Sequence, residues 1–220
     1  MIKTNHKGFR DHKWHEKIIV LSPPVNLKNE KERVEQLMGA GLAFFHVRKP
    51  GFSKYKTERY LAHYPTEMRK NMILHHHYGL TQAYGLKGIH ITEKTKGQGH
   101  EAAYSHSHVS ISCHNLQEVA TLPQSYSYAF LSPVMDSISK QGYRAAFEKE
   151  TLKAFFREHQ DIPPVIALGG IHPDTIGRIR GLGFSGVALL GAIWSELAHQ
   201  RNTKSTLENY HNALKMIQGL

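Results

Sequence analysis

Seventeen histidines stand in this 220-residue chain, and the densest run is His75-His76-His77. Imidazole titrates near neutral pH, so clustered histidines point to general acid/base work. A transition-metal site is a second reading, and hydrogen-bonded or surface polar groups are a third. If the run closes a strand, alternation sends His75 and His77 to one face and His76 to the other. His46, His90 and His114 stand in or beside apolar segments, so several imidazoles could converge at one rim. No His-x-x-x-His helical pair and no Cys/His ligand spacing supports zinc. The one cysteine, Cys113, precedes His114. Neighbours on a strand face opposite ways, so the two make no dyad, and a buried, inert thiol is expected.

Two late segments carry a different chemistry. Ala167-Leu168-Gly169-Gly170-Ile171 and Leu189-Leu190-Gly191-Ala192-Ile193 each place glycine at the end of an apolar run. Glycine lets the backbone approach an anion closely, and N–H groups at such turns bind phosphate. A tight turn is the plainer reading of either segment alone. Two of them, one repeat apart, favour a phosphate cradle of Gly169, Gly170, Gly191 and Ala192.

The elements that would position these groups recur regularly. Short apolar, β-branched segments run over Ile18–Leu21, Phe44–Arg48, Met72–Leu74, Gly88–Ile91, Val109–Ser112, Ala129–Leu131, Val165–Leu168 and Gly186–Leu190. Amphipathic helices are expected over Glu30–Met38, Thr151–His159, Asp174–Leu182 and Thr203–Ile217. Those after the fourth and fifth strands look short or irregular. Strand–helix alternation implies parallel pairing with right-handed crossovers. Eight units in so short a chain predict an α/β fold, a (β/α)8 TIM barrel over 18–220 behind an N-terminal extension at 1–17. An open doubly wound sheet usually carries a glycine fingerprint after its first strand, and Leu21-Ser22-Pro23-Pro24 cannot serve as one. In the barrel, the two glycine segments close the seventh and eighth strands, where phosphate sites are common.

With those positions assigned, the chain resembles the thiamine-phosphate synthase and thiazole tautomerase superfamily. The likeness rests on FFHVRK at Phe44–Lys49, GIHI at Gly88–Ile91, VSISCH at Val109–His114, LSPVMDSISK at Leu131–Lys140, VIALGGI and GVALLGAIW. It runs from about Ile18 to about Trp194. It implies a synthase that joins a thiazole phosphate to hydroxymethylpyrimidine diphosphate with magnesium, releasing diphosphate. The thiazole phosphate would sit against Gly170 and Gly191. Arg48, Ser112 and Lys140 would meet the diphosphate, with Ser137 and Ser139 donating further hydrogen bonds and Asp136 in the same loop. The chain departs from the pattern at the magnesium ligands: the third-strand Asn-Asp reads His75-His76, and the second aspartate reads Thr95. The family's second-strand glutamine and lysine are His46 and Pro50, and the tautomerase histidine is Ser132. A histidine such as His76, His46 or His114 would then move protons. A tautomerase-like isomerase, a non-catalytic binder of thiazole or thiamine phosphate, and a different phosphosugar enzyme on the same barrel stay open.

Composition narrows the setting. The formal charge of +10 can signal nucleic acid, acidic surfaces or anionic substrates. The Lys and Arg residues are scattered, and no nucleic-acid motif is present. No apolar run reaches the ~20 residues of a membrane span, and the basic start lacks a secretory apolar stretch. The expectation is a cytoplasmic protein with small phosphorylated substrates, no nucleic-acid or membrane partner, and a homodimer left open.

Overall fold

The computed structural model describes residues 18–98, 108–135, 147–194 and 205–219. The expected N-terminal extension at 1–17 lies outside them. Eight strands close a parallel barrel in chain order: β1 (Ile18–Leu21), β2 (Phe44–Val47), β3 (Met72–Leu74), β4 (Gly88–Ile91), β5 (His108–Cys113), β6 (Tyr128–Leu131), β7 (Val165–Ala167) and β8 (Gly186–Leu189). β8 pairs with β1 through Val187 opposite Ile18 and Leu189 opposite Val20. The Trp194 indole N–H donates to the Leu21 carbonyl at 2.7 Å, fastening the loop after β8 to the end of the first strand.

The strands are apolar because both faces are covered. One side-chain set, with Ile18, Val20, Phe45 and Val47, packs under the helices. The alternate set fills the barrel with Ile19, Leu21, Phe44, Ile73, Tyr128, Phe130, Ile166 and Ala188. The interior also encloses His46, His75, His90 and Ser110, all buried. Gly88 is forced by the closeness of β4 and β5, since a Cβ there would lie 1.8 Å from the His108 carbonyl oxygen.

Among the described residues the helices are α1 (Glu30–Gly39), α2 (Lys54–Ala62), α3 (Thr66–Arg69), α4 (Leu80–Ala83), α5 (Leu116–Ala120), α6 (Lys149–Glu158), α7 (Pro173–Ile179) and α8 (Thr206–Gln218). The α7 helix stops three residues short of the expected Leu182, because Arg180 turns extended and Gly181 takes a φ of 78°. The α8 helix starts at Thr206 behind a Ser205 capping box with Glu208. Among the described residues, the connection after β4 holds a 3-10 turn, Glu93–Thr95, and the α5 helix after β5 has five residues. The strands β2, β7 and β8 each end one residue early, leaving Arg48, Leu168 and Leu190 in the loops at the barrel mouth.

A buried ion pair anchors the β2 end. The Lys49 ammonium donates to Glu30 Oε2 at 2.7 Å and to the Val25 carbonyl at 2.9 Å. The Tyr60 hydroxyl donates to Glu30 Oε1 at 2.8 Å. α1, α2 and the residue after Arg48 are thereby tied together.

Candidate active site at the barrel mouth

The strand register aligns a polar row inside the barrel. His90 stands opposite Ser110, and Ser110 opposite Tyr128. His90 Nδ1 meets Ser110 Oγ at 2.8 Å, and Nε2 meets Ser112 Oγ at 2.8 Å. Ser110 faces Tyr128 across the β5–β6 pairing and acts against the rise that burial imposes on its hydroxyl. That hydroxyl meets His46 Nε2 at 2.5 Å, and His46 Nδ1 meets His75 Nε2 at 2.9 Å. Two hydrogen-bonded runs, Ser112–His90–Ser110 and Tyr128–His46–His75, thus meet where Ser110 faces Tyr128, and they lead from Ser112, half-buried at the mouth, to His75, which is 2% exposed. His75 Nδ1 is buried at its end with no partner.

Burial holds these imidazoles neutral. It pushes His46 and His75 well below the usual histidine value, with neighbouring histidines adding to the effect. His90 is driven down to about 3, by burial and then by Arg48. Burial raises the Tyr128 hydroxyl. Neutral groups in a closed network pass or orient protons among themselves; they do not present charge to a ligand.

The expected convergence of imidazoles is therefore partial. His46, His75 and His90 come together, but inside the barrel, and both ring nitrogens of His46 are engaged. His77 does not share the face of His75. β3 ends at Leu74, and His77 adopts a φ of 55° and points outward, bonded to the Phe52 carbonyl at 2.9 Å. His76 is half-buried, and its pKa is lowered by burial, then by His77 and Arg48. His114 is exposed, with Nδ1 3.1 Å from the Ser132 carbonyl. Cys113 faces the outer core, and burial pushes its thiol up to about 12. Ser110 and Tyr128, which complete the network, were not among the expected site residues. Their inward facing follows from alternation with Ser112 and Phe130, but their meeting with His90 requires the register.

At the mouth, Arg48 follows β2 and is half-buried, with its backbone N–H on Ser22 Oγ at 2.8 Å. Among the described residues, no carboxylate pairs with its guanidinium. Gly169 and Gly170 have φ of 90° and 66°. A Cβ on Gly169 would lie 2.9 Å from Pro133 Cα, because the Val134 and Met135 N–H groups dock on the Leu168 and Gly169 carbonyls at 3.0 and 3.1 Å. Among the described residues, no acceptor meets the N–H groups of Gly170, Gly191 or Ala192. Lys140, Ser137, Ser139 and Asp136 lie outside the described residues.

Fold and site together define a (β/α)8 barrel whose polar groups gather at the carboxyl ends of its strands. The thiamine monophosphate synthase family model matches residues 18–193, and the chain belongs to that family. It is 25% identical over 173 residues to a thiamine-phosphate synthase of Anoxybacillus flavithermus, covering 73% of this chain and 77% of the relative. It is 27% identical over 192 residues to that of Actinobacillus succinogenes, covering 78% and 81%. The crystal structure of thiamine phosphate pyrophosphorylase from Bacteroides thetaiotaomicron is similar with a TM-score of 0.75 and 27% identity, over 92% of this chain and 98% of that one. The Pyrococcus furiosus thiamine phosphate pyrophosphorylase, at 15% identity and a TM-score of 0.73, shares the fold. Among the described residues, no helix is long and apolar enough to cross a membrane.

Proposed function

We propose that this chain is a synthase-like transferase of thiamine biosynthesis, joining a thiazole phosphate to hydroxymethylpyrimidine diphosphate with release of diphosphate. The observation that carries this reading, beside family membership, is the half-buried Arg48 guanidinium at the mouth with no carboxylate partner among the described residues. As the bond to diphosphate breaks, the leaving group takes the electron pair, and fixed donors are most effective where that charge develops. Arg48 suits this because its planar fork grips phosphate oxygens bidentately. Ser112 would add a hydroxyl whose orientation is set by His90. Lys140, Ser137 and Ser139 would add a movable cation and further donors. The thiazole phosphate would be held by the open N–H groups of Gly170, Gly191 and Ala192, with Gly169 turning the backbone toward it. His76, beside Arg48, is the imidazole best placed to touch a ligand; His46 would act only through the network, and His114 from the rim.

The magnesium implied by the resemblance does not fit the described residues. Magnesium prefers oxygen ligands, chiefly carboxylates, phosphates and water. The β3 and β4 ends offer His75, His76, Thr92 and Thr95 instead. Glu93, the carboxylate after β4, is exposed and paired with Lys96 at 2.7 Å. No step is therefore assigned to that ion. The same replacement favours the second reading, a binder of thiazole or thiamine phosphate without turnover.

The test is an endpoint incubation with both substrates, detecting thiamine phosphate by mass. Product above an Arg48→Ala control supports the transferase. No product, with thiazole phosphate still binding in calorimetry, replaces it with the binder.

A further inference from the structure

The geometry points to His46, His75 and His90 as a three-imidazole site for a late first-row divalent transition metal, zinc being the default ion. Each ring offers a nitrogen, and the three ligand atoms all lie within 4.8 Å of one another. Two imidazole nitrogens ~2.1 Å from a tetrahedral zinc stand about 3.4 Å apart, so closing on an ion needs shifts on the order of 1 Å. The ring centroids of His46 lie 5.1 Å from those of His75 and 5.2 Å from those of His90, and His75 lies 4.3 Å from His90. The rings come from three adjacent strands and crowd together inside the barrel; His75 and His90 are stacked at 28°, so joint ligation also needs one of these two rings to turn.

A second, independent observation is the buried His75 Nδ1, which has no hydrogen-bond partner. A polar atom left unpaired inside a protein calls for an explanation, and an absent ion is one. The outer contacts also suit ligation. Metal-bound histidines usually hold their second ring nitrogen on a hydroxyl, carbonyl or carboxylate, which fixes tautomer and orientation. Tyr128 holds His46 Nε2, leaving Nδ1 for the ion. Ser110 and Ser112 hold the two nitrogens of His90, which keeps one contact and gives up the other. With the ion on the free His75 Nδ1, the His46–His75 hydrogen bond is given up as His46 Nδ1 turns to the metal, and His75 Nε2 becomes that ring's outer nitrogen.

The donor set selects the metal. Three imidazoles with no carboxylate suit zinc, cobalt, nickel or copper and not magnesium. Three protein ligands leave one position open, the count found where zinc also holds water or substrate. The Arg48 guanidinium nearby repels a dication, and the lone pairs of the three rings must outweigh it. Metal binding is measured without substrate and so stands apart from the proposed coupling reaction.

The experiment uses the full chain without a histidine tag, stripped with chelator, dialysed and titrated with Co2+; zinc content is measured in parallel after dialysis against Zn2+. The expected result is one ion per chain and an intense visible cobalt band of low coordination number. His75→Asn and His90→Asn should each weaken cobalt binding at least ten-fold, while the exposed control His211→Ala keeps it. A cobalt spectrum like that of the hydrated ion overturns the site. So does equal occupancy in parent and variants, which would mark surface histidines as the ligands. If the variants fail to fold, the parent's stoichiometry and spectrum decide the matter.

Discussion

Replacing Lys49 by Met tests how the barrel holds its β2 end beside Arg48. Lys49 is 3% exposed and Glu30 6%. Removing the ammonium keeps most of the apolar stem against Phe52 and Tyr60 but strands the carboxylate. Breaking a buried pair from one side typically costs about 3–5 kcal/mol. Glu30 keeps two donors, the Tyr60 hydroxyl at 2.8 Å and the Leu27 N–H at 3.2 Å, which places the loss near the lower end, about 3 kcal/mol. For a chain of this size each kcal/mol moves Tm by roughly 2–4 °C, so Tm should fall by roughly 6–12 °C. Glu30→Gln should also destabilise, because it leaves Lys49 buried without its countercharge. Burial already lowers the Lys49 pKa, and the hydrogen bond and charge of Glu30 oppose that shift. The double variant should lose less than the sum of the singles, by at least about 1 kcal/mol, as expected for groups in direct contact. Urea denaturation of the parent, both singles and the double measures this cycle. Additive losses, each below about 0.5 kcal/mol, would refute the claim that this pair anchors β2.

Other consequences can be checked separately. Gly170→Val puts a β-branched residue at a φ of 66°; destabilisation of about 1–3 kcal/mol and loss of thiazole phosphate binding are expected, and unchanged affinity in a folded variant would remove Gly170 from the cradle. Cys113 should resist thiol reagents at pH 8 in the native protein and react fully in denaturant, because its thiol is buried and its pKa is raised to about 12; rapid native labelling would contradict that placement. In chelator-treated protein, stability should fall as pH drops below 6.5, the unfolded histidine value, since His46, His75 and His90 are depressed in the fold and the unfolded chain binds the extra protons. With His90 at about 3, that group alone contributes a loss of about 2 kcal/mol between pH 7 and 5, visible as a shift in the urea midpoint, and a flat profile would show that the imidazoles are not held neutral.

Much of the barrel could be read directly. Ile18–Leu21 and Gly88–Ile91 are covered on both faces, so their residues form compact apolar runs that announce strands. The α2 helix was harder to see, since its buried residues, Thr57, Tyr60 and Leu61, include a threonine among charged neighbours. The histidines were legible as a set but not in depth. Whether His46 and His75 lie at the rim or inside depends on where each strand stops, and β3 stops at Leu74. His77 turns outward for the same reason. The partners Ser110 and Tyr128 needed the row His90–Ser110–Tyr128, a matter of register among three strands that no local pattern encodes. The Lys49–Glu30 pair joins residues nineteen positions apart through tertiary packing alone.

Coupling is tested by supplying purified chain with thiazole phosphate and hydroxymethylpyrimidine diphosphate and counting both products. One diphosphate should be released for each thiamine phosphate formed, with both falling together in Arg48→Ala. Diphosphate released without thiamine phosphate, or neither product from a chain that is folded and binds both substrates, would contradict it.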